Sequence, residues 1–214
     1  MILKLYNFNH SSSAWRVRIA LALKQVEFEL IDIDVSRQTL AQDRIEYERV
    51  NPLLQVPCLE WDEKGTVWRL SQSVAIIEWL EHRFPDPRLI PRDAFELAKV
   101  REMVQVVNAG IQPLQNNRVL TRIKEGGANE EEWARHWIEK GLRALEALVQ
   151  PWSGQYLFGD TVTMADIYLV PQLYNARRFG VDMWQLPTLV RVDQICAANP
   201  AFRATHPDGR STPR

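Results

Sequence analysis

The stretch ILKLYNFNHSSSAWRVRIALAL, residues 2–23, decides the fold of the N-terminal part of the chain. Residues 2–8 are rich in large apolar and aromatic side chains, which predicts a short, half-buried strand. The polar residues 10–13 favour a turn, and any of their three serines could cap a following helix. From Trp15 onward, apolar residues recur as they do on a buried helix. A strand, a turn and a helix in this order predict the first half of a β-α-β unit.

The next part of the chain completes a small α/β domain. Residues 28–35 alternate apolar and acidic side chains and predict a second strand, which a right-handed connection places parallel to the first. Residues 56–61 and 66–70 predict a hairpin around the turn DEKG at 62–65. The order β-α-β-α-β-β-α, with a mixed four-stranded sheet, is completed by two predicted helices, at residues 43–50 and 73–84.

A proline-rich segment separates this domain from the rest of the chain. Residues 85–92 contain three prolines, which end the preceding helix and predict a linker. Four helices are predicted beyond it, at residues 93–121, 129–148, 164–179 and 189–198. We therefore expect an α/β domain at residues 1–84, a linker at 85–92 and an all-α helical domain at 93–214.

The composition excludes several classes of function. The 214 residues include 26 Lys and Arg against 27 Asp and Glu, so charge does not favour nucleic acid or an anionic membrane surface. No stretch approaches the roughly 18 apolar residues of a membrane span, and the N-terminus lacks a signal-peptide pattern. Two cysteines and four histidines show no ligand-like spacing, so we expect no metal. These features favour a cytoplasmic protein that acts on a small molecule.

Three local patterns can be interpreted either as helix starts or as ligand-binding groups. The serines at 11–13 precede a helix, whose N-terminus stabilises an anion and can lower a thiol pKa to roughly 3.5–7.5. Their alternative role is capping alone. Gln72 and Ser73 also lie at a predicted helix start. They could cap the helix or help to bind a carboxylate, because both roles use the unpaired N–H groups of a helix N-terminus. The pattern TMAD at 163–166 has capping-box spacing, and there we favour the structural interpretation.

The motif SSSAWRVRIAL, residues 11–21, resembles the SSCxWRVRIAL signature of the zeta class of glutathione S-transferases, the maleylacetoacetate isomerases. The resemblance covers nearly the whole chain and implies a thioredoxin-like first domain, an all-helical second domain, glutathione as cofactor and a homodimer. Further motifs resemble the same class in the same order, namely Asn51-Pro52, QVP at 55–57, Gln72-Ser73, GIQPLQN at 110–116, TMAD at 163–166 and NARRF at 175–179.

The resemblance also implies a set of glutathione-binding residues. Ser11 is expected to donate a hydrogen bond to the glutathione sulfur, while Ser12 and Ser13 support it. Most X–Pro bonds are trans, but the family has a cis bond before the proline at the position of Pro57. This bond turns the backbone of Val56 toward the cysteinyl part of glutathione, like an added strand. The γ-glutamyl end is expected at Gln72 and Ser73, and further polar contacts at Gln55 and Gln112.

Substrate carboxylates are expected to bind arginine, whose planar guanidinium can donate two hydrogen bonds. In the family, the arginine at the position of Arg178 has this role; adjacent arginines are otherwise usually a solvated face. Arg118 is a second candidate. The chain departs from the family at Ser13, where many members have cysteine, so the attacking sulfur is expected to come from glutathione. It departs again at His10, where related isomerases often have arginine; histidine is only partly charged near neutral pH.

The leading hypothesis is a glutathione-dependent cis–trans isomerase of a maleyl diketo acid. Maleylacetoacetate, an intermediate of aromatic amino-acid catabolism, is the first candidate substrate. Maleylpyruvate is the second, because residues 116–118 also resemble maleylpyruvate isomerases. The alternatives are a general transferase that conjugates or dehalogenates small electrophiles, and a non-catalytic binding module on the same fold. The sequence leaves the physiological substrate open.

Overall fold

The structure is a computed structural model that describes residues 2–33 and 41–209. The chain forms two compact units, Met1–Pro87 with Pro200–Arg214, and Arg88–Asn199. The strands are β1 (Leu3–Asn7), β2 (Phe28–Asp32), β3 (Cys58–Glu63) and β4 (Thr66–Ser71). In the described ranges the α-helices are α1 (Ser12–Leu23), α2 (Ala41–Val50), α3 (Ser73–Arg83), α4 (Ala94–Gln105), α5 (Asn117–Glu125), α6 (Glu130–Val149), α7 (Met164–Arg178), α8 (Pro187–Ala198) and α9 (Pro200–Ala204).

The first unit contains a four-stranded sheet with the order β2-β1-β3-β4. β1 and β2 are parallel, with Leu5 opposite Leu30, whereas β3 is antiparallel to both β1 and β4. This confirms the predicted mixed sheet and the β-α-β-α-β-β-α order. β1 buries every second residue, as expected for a strand that covers a core with one face.

Strand ends differ from the sequence prediction by a few residues. β1 begins and ends one residue inside the predicted 2–8, and β3 begins at Cys58 rather than at residue 56. β2 ends at Asp32, and the last two predicted residues of that strand lie outside the described part of the chain. The later start of β3 has a simple cause: Pro57 has no N–H with which to join the ladder.

Helix α1 is buried along most of its length. Its buried residues include Trp15 and Leu21, and also Arg16 and Arg18, which are 0% and 1% exposed. α1 packs against α3, whose buried apolar side chains include Ile76. A helix surrounded on nearly all sides has no strong amphipathic pattern, which agrees with the continuous apolar character of this segment.

The C-terminal helix α9 packs against α1 and therefore belongs to the first unit. Phe202 of α9 is 2% exposed. The sequence-based division assigned residues 93–214 to one helical domain, whereas in the structure α9 groups with the N-terminal part of the chain. The boundaries of independently folding domains stay a prediction.

In the second unit, the prediction of one helix over residues 93–121 is wrong. α4 ends at Gln105, a π-helical segment follows at Val106–Ile111, and α5 begins only at Asn117. Pro113 lacks an N–H and cannot continue a helical ladder. The side chain of Asn116 then caps α5 by accepting a hydrogen bond from the Arg118 N–H at 3.1 Å.

The other predicted helices of this unit are confirmed within two residues at each end, as α6, α7 and α8. α7 packs against α4, α6 and α8 and is almost entirely buried. Its start confirms the predicted capping box, because the Thr163 hydroxyl accepts from Ala165 N–H at 3.3 Å and Asp166 accepts from Thr163 N–H at 2.8 Å. Burial raises the pKa of the Asp166 carboxyl to about 6.

Candidate active site

The first unit brings the ends of three strands to one edge of its sheet. Tyr6 of β1 lies opposite Cys58 of β3, and Cys58 also lies opposite Ser71 of β4. Because both pairs are antiparallel, the C-terminal ends of β1 and β4 lie beside the start of β3. The segments that adjoin these three ends contain the predicted groups of the first unit, residues 11–13, 55–57 and 72–73.

Ser11 is the N-cap of α1. Its Oγ accepts a hydrogen bond from the Ala14 N–H at 3.2 Å, and its own N–H donates to the carbonyl of Phe8 at 2.9 Å. A hydroxyl that accepts as a cap keeps its proton for donation to another group. Capping and donation to a sulfur are therefore compatible at Ser11. Ser13 is half-buried and Ser12 is buried.

The bond between Val56 and Pro57 is cis, as the resemblance implied. The carbonyl of Gln55, one residue earlier, accepts two hydrogen bonds of 2.7 Å each, one from the Tyr47 hydroxyl and one from Asn51 Nδ2. Both donors are buried. They fix the backbone on which the predicted contacts of Gln55 and Val56 depend. The sequence singled out Asn51 only as part of the motif Asn51-Pro52 and did not indicate Tyr47 or these hydrogen bonds.

Gln72 and Ser73 lie at the start of α3, but of the two interpretations left open, a Ser73 cap is wrong. Gln72 occupies the N-cap position with a φ of 72°, its side chain makes no capping hydrogen bond, and Ser73 is already the first helical residue. The Ser73 hydroxyl accepts instead from Arg16 Nη1 at 3.4 Å. A glutamine in the left-handed region is uncommon, and such conformations cluster at functional sites.

The buried arginines of α1 connect the segments of this edge. Arg16 reaches Ser73 at the start of α3. Arg18 donates to Asn7 Oδ1 at 2.5 Å, at the end of β1, and to the carbonyl of Asn9 at 2.9 Å, in the turn before Ser11. Within the signature, the arginines therefore hold the strand ends and turns that carry the serines.

The remaining predicted residues are exposed or half-buried. His10 is exposed, with its ring centroid 6.2 Å from that of Phe8. Gln112 follows the π-helical segment of the second unit, Arg118 lies in the first turn of α5, and Arg178 is the last residue of α7. Their binding roles stay predictions.

Arg177, the neighbour of Arg178 at the end of α7, has an acidic partner on α8. Arg177 Nη2 forms an ion pair with Asp193 Oδ2 of α8 at 2.6 Å, which favours a structural role for it. The segments that carry Arg118 and Arg178 are tied together by the buried amides of Gln115 and Gln172, which donate to each other at 3.0 and 3.2 Å. Gln115 belongs to a recognised motif, but its pairing with Gln172 was missed, because an isolated glutamine resembles a surface residue.

The described residues contain neither a metal-binding cluster nor a membrane-crossing helix. No group of three or more His, Cys, Asp or Glu side chains in residues 2–33 and 41–209 is arranged to hold a metal ion. In the same ranges, no helix combines the length and the apolar character that a membrane crossing requires. Cys58 and Cys196 are both buried free thiols, and burial raises the pKa of each.

Comparison with known proteins identifies the family. Residues 10–83 match the family model of the glutathione S-transferase N-terminal domain, and residues 129–204 match that of the C-terminal domain. A probable maleylacetoacetate isomerase 2 of Drosophila melanogaster is 44% identical over 96% of this chain and 88% of its own length.

Two solved structures of isomerases are also similar to this chain. A maleylacetoacetate isomerase from Anaeromyxobacter dehalogenans 2CP-1, with GSH bound in its active site, has a TM-score of 0.90 and 48% identity, covering 98% of this chain and 96% of its own. A maleylpyruvate isomerase described as a bacterial zeta-class glutathione S-transferase has a TM-score of 0.88 and 39% identity, covering 99% of this chain and all of its own. The chain belongs to the glutathione S-transferase family and to its zeta class, the class of the maleylacetoacetate isomerases.

Proposed function

We propose that this protein is a glutathione-dependent cis–trans isomerase of a maleyl diketo acid. The observation that carries this proposal is the meeting, at one sheet edge, of a capped helix start with a serine hydroxyl, a cis-proline segment and a second helix start. Relatives named maleylacetoacetate isomerase align over nearly the whole chain.

The residues present fit glutathione chemically. The N-terminus of α1 stabilises an anionic sulfur, and the Ser11 hydroxyl can donate to it. Val56 lies just before β3, so its backbone can pair with the cysteinyl part as an added strand. Gln72 and Ser73 lie at the start of α3, and a helix N-terminus can bind a carboxylate.

When bound, glutathione supplies a sulfur nucleophile that adds to the cis double bond, permits rotation about it and is released unchanged. The protein's own residues hold the sulfur anionic and aligned. Ser11 donates a hydrogen bond to it, and Ser12 and Ser13 support this interaction. Gln55, Gln72, Ser73 and Gln112 orient the rest of the tripeptide.

The substrate is a dicarboxylate, and the proposed cations suit it. Arg178 and Arg118 are exposed arginines that can each offer two donors to a carboxylate. His10 supplies a further donor beside the serines. Maleylacetoacetate is the first candidate substrate, since the relatives compared include isomerases named for it. Maleylpyruvate is the second candidate because a maleylpyruvate isomerase aligns over 99% of this chain. We further propose that the protein acts as a cytoplasmic homodimer.

The decisive experiment measures isomerisation of both maleyl substrates with and without glutathione. Activity that requires glutathione but does not consume it supports the proposal. Stoichiometric loss of glutathione, with no isomerisation, supports a conjugating transferase instead. Failure to bind glutathione supports a non-catalytic module.

Two matched pairs of variants test the residues. Ser11→Ala and Ser11→Gly both remove the hydroxyl, but glycine caps a helix almost as well as serine. We expect both to lower kcat/KM by about 10²–10³, the usual effect of removing one stabilising donor.

Arg178→Ala should lower kcat/KM for the maleyl substrate by at least about tenfold, whereas Arg177→Ala should affect stability only. Equal activity of all four variants and the wild type would refute the site assignment.

A further inference from the structure

Residues 200–207, which we call the C-terminal clamp, contact the turn that positions Ser11. This turn, residues 8–11, is called the serine turn here. The Asn9 side chain donates from Nδ2 to the carbonyl of Pro207 at 3.0 Å, although the two residues are 198 positions apart. Asn9 is only two residues before Ser11, so this hydrogen bond acts directly on the serine turn.

A second contact joins the clamp to the first turns of α1. Trp15 Nε1 donates to the Thr205 hydroxyl oxygen at 3.1 Å, and the Trp15 and His206 rings pack edge to face at 5.0 Å. The Thr205 hydroxyl donates in turn toward carbonyls of α9, those of Ala201 at 2.9 Å and Phe202 at 3.1 Å. Thr205 is 8% exposed. A buried hydroxyl that both accepts and donates fixes the relation of α9 to α1.

A third contact passes through Arg18, whose guanidinium joins three segments. It donates to Asn7 at the end of β1, to the carbonyl of Asn9 in the serine turn, and to the carbonyl of Thr205 in the clamp at 3.4 Å. Arg18 is 1% exposed, so water does not compete for these donors. The serine turn is therefore bound to the clamp in two ways, directly through Asn9 and through the shared partner Arg18.

We propose that the C-terminal clamp positions the serine turn and thereby sets the pKa of the glutathione thiol bound there. This inference rests on the proposed function. A hydroxyl and a helix N-terminus stabilise a thiolate only at hydrogen-bonding distance, and misplacement by about 1 Å can cost about 100-fold in rate. Thr205 and Asn9 act through the turn rather than by touching glutathione.

The test compares Thr205→Val with Thr205→Ser in the full-length protein. Valine keeps the shape of threonine but has no hydroxyl, whereas serine keeps the hydroxyl. The pKa of bound glutathione is followed by the ultraviolet absorbance of its thiolate as a function of pH. We expect Thr205→Val to raise that pKa by about one unit and to lower kcat/KM near neutral pH about tenfold, while Thr205→Ser stays near wild type.

Glu81→Gln provides the control for destabilisation alone. Glu81 lies on α3 and pairs with Lys24 beyond the C-terminal end of α1, about 20 Å along the helix from Ser11. This variant should lower the thermal midpoint without changing the pKa of bound glutathione. If Thr205→Val does not fold, Asn9→Ala removes the bond to Pro207 and is expected to raise the same pKa.

The outcomes separate the inference from the proposed function. If the wild type lowers the thiol pKa of glutathione and Thr205→Val and Asn9→Ala give the same pKa, the role of the clamp is overturned. The isomerase proposal is left intact by that result. A shift as large in Glu81→Gln overturns it as well. A wild type that does not bind glutathione overturns both.

Discussion

Lys24, just beyond the end of α1, carries a buried charge whose loss should be costly. Its Nζ donates to Glu81 Oε2 at 2.8 Å, to the carbonyl of Phe84 at 2.7 Å and to that of Pro87 at 2.9 Å. The Lys24 side chain is 0% exposed and that of Glu81 is 6% exposed. All three donors of the ammonium group are thus used inside the protein.

The substitution Lys24→Met removes the charge but keeps most of the apolar side chain. The Glu81 carboxylate then loses its cation, and two carbonyls lose a donor. Breaking a buried pair by removing one partner costs about 3–5 kcal/mol, so we expect the free energy of unfolding to fall by that amount. The double variant Lys24→Met with Glu81→Leu should recover most of the loss, because no buried charge is left uncompensated.

Urea unfolding followed by circular dichroism measures both effects. The midpoint should fall in the single variant while the slope with urea stays constant, which identifies a change in stability rather than in compactness. The reasoning is refuted if Lys24→Met loses less than about 1 kcal/mol, since removing one partner of a buried pair leaves the other charge uncompensated. It is also refuted if the double variant is no more stable than the single one.

Three other variants test contacts elsewhere in the chain. Tyr47→Phe removes one of the two donors that hold the Gln55 carbonyl, so steady-state kinetics should show KM for glutathione rising about three- to tenfold with kcat nearly unchanged; a change in kcat alone contradicts this. Gly141→Ala would place a Cβ 2.3 Å from Ile111 Cγ1, and urea unfolding should show a loss of about 1–3 kcal/mol that Ile111→Ala partly relieves. Burial raises the Asp166 pKa to about 6, above roughly 4 in an unfolded chain. Between these two pKa values the folded state therefore keeps a proton that the unfolded state loses. As the pH rises from 4 to 6, the free energy of unfolding of the wild type, measured relative to that of Asp166→Asn, should fall by up to about 3 kcal/mol. A difference between the two proteins that stays constant with pH contradicts this prediction.

The features that the sequence predicted well are those with local causes. The start of α1 follows from serines before a buried apolar run, and the start of α7 follows from the spacing of Thr163 and Asp166. The break at Val106–Ile111 was missed because apolar residues continue through it, and helical periodicity does not distinguish a π-helical turn from an α-helical one. Asn51 was recognised only as part of a motif, and the role of Asn51 and Tyr47 in holding Gln55 was missed because a buried tyrosine or asparagine has no local signature.

The arginines of α1 explain why the signature extends beyond its serines. Arginine is almost never fully buried unless its donors have partners, and the partners of Arg16 and Arg18 lie on other segments. Arg16 reaches Ser73, 57 residues later, and Arg18 reaches Thr205, 187 residues later. A motif of eleven residues thus specifies contacts to the start of α3, to the serine turn and to the C-terminal clamp. The motif could therefore be recognised from the sequence, but the partners of its arginines required the fold, because side-chain pairs so distant in sequence leave no local pattern.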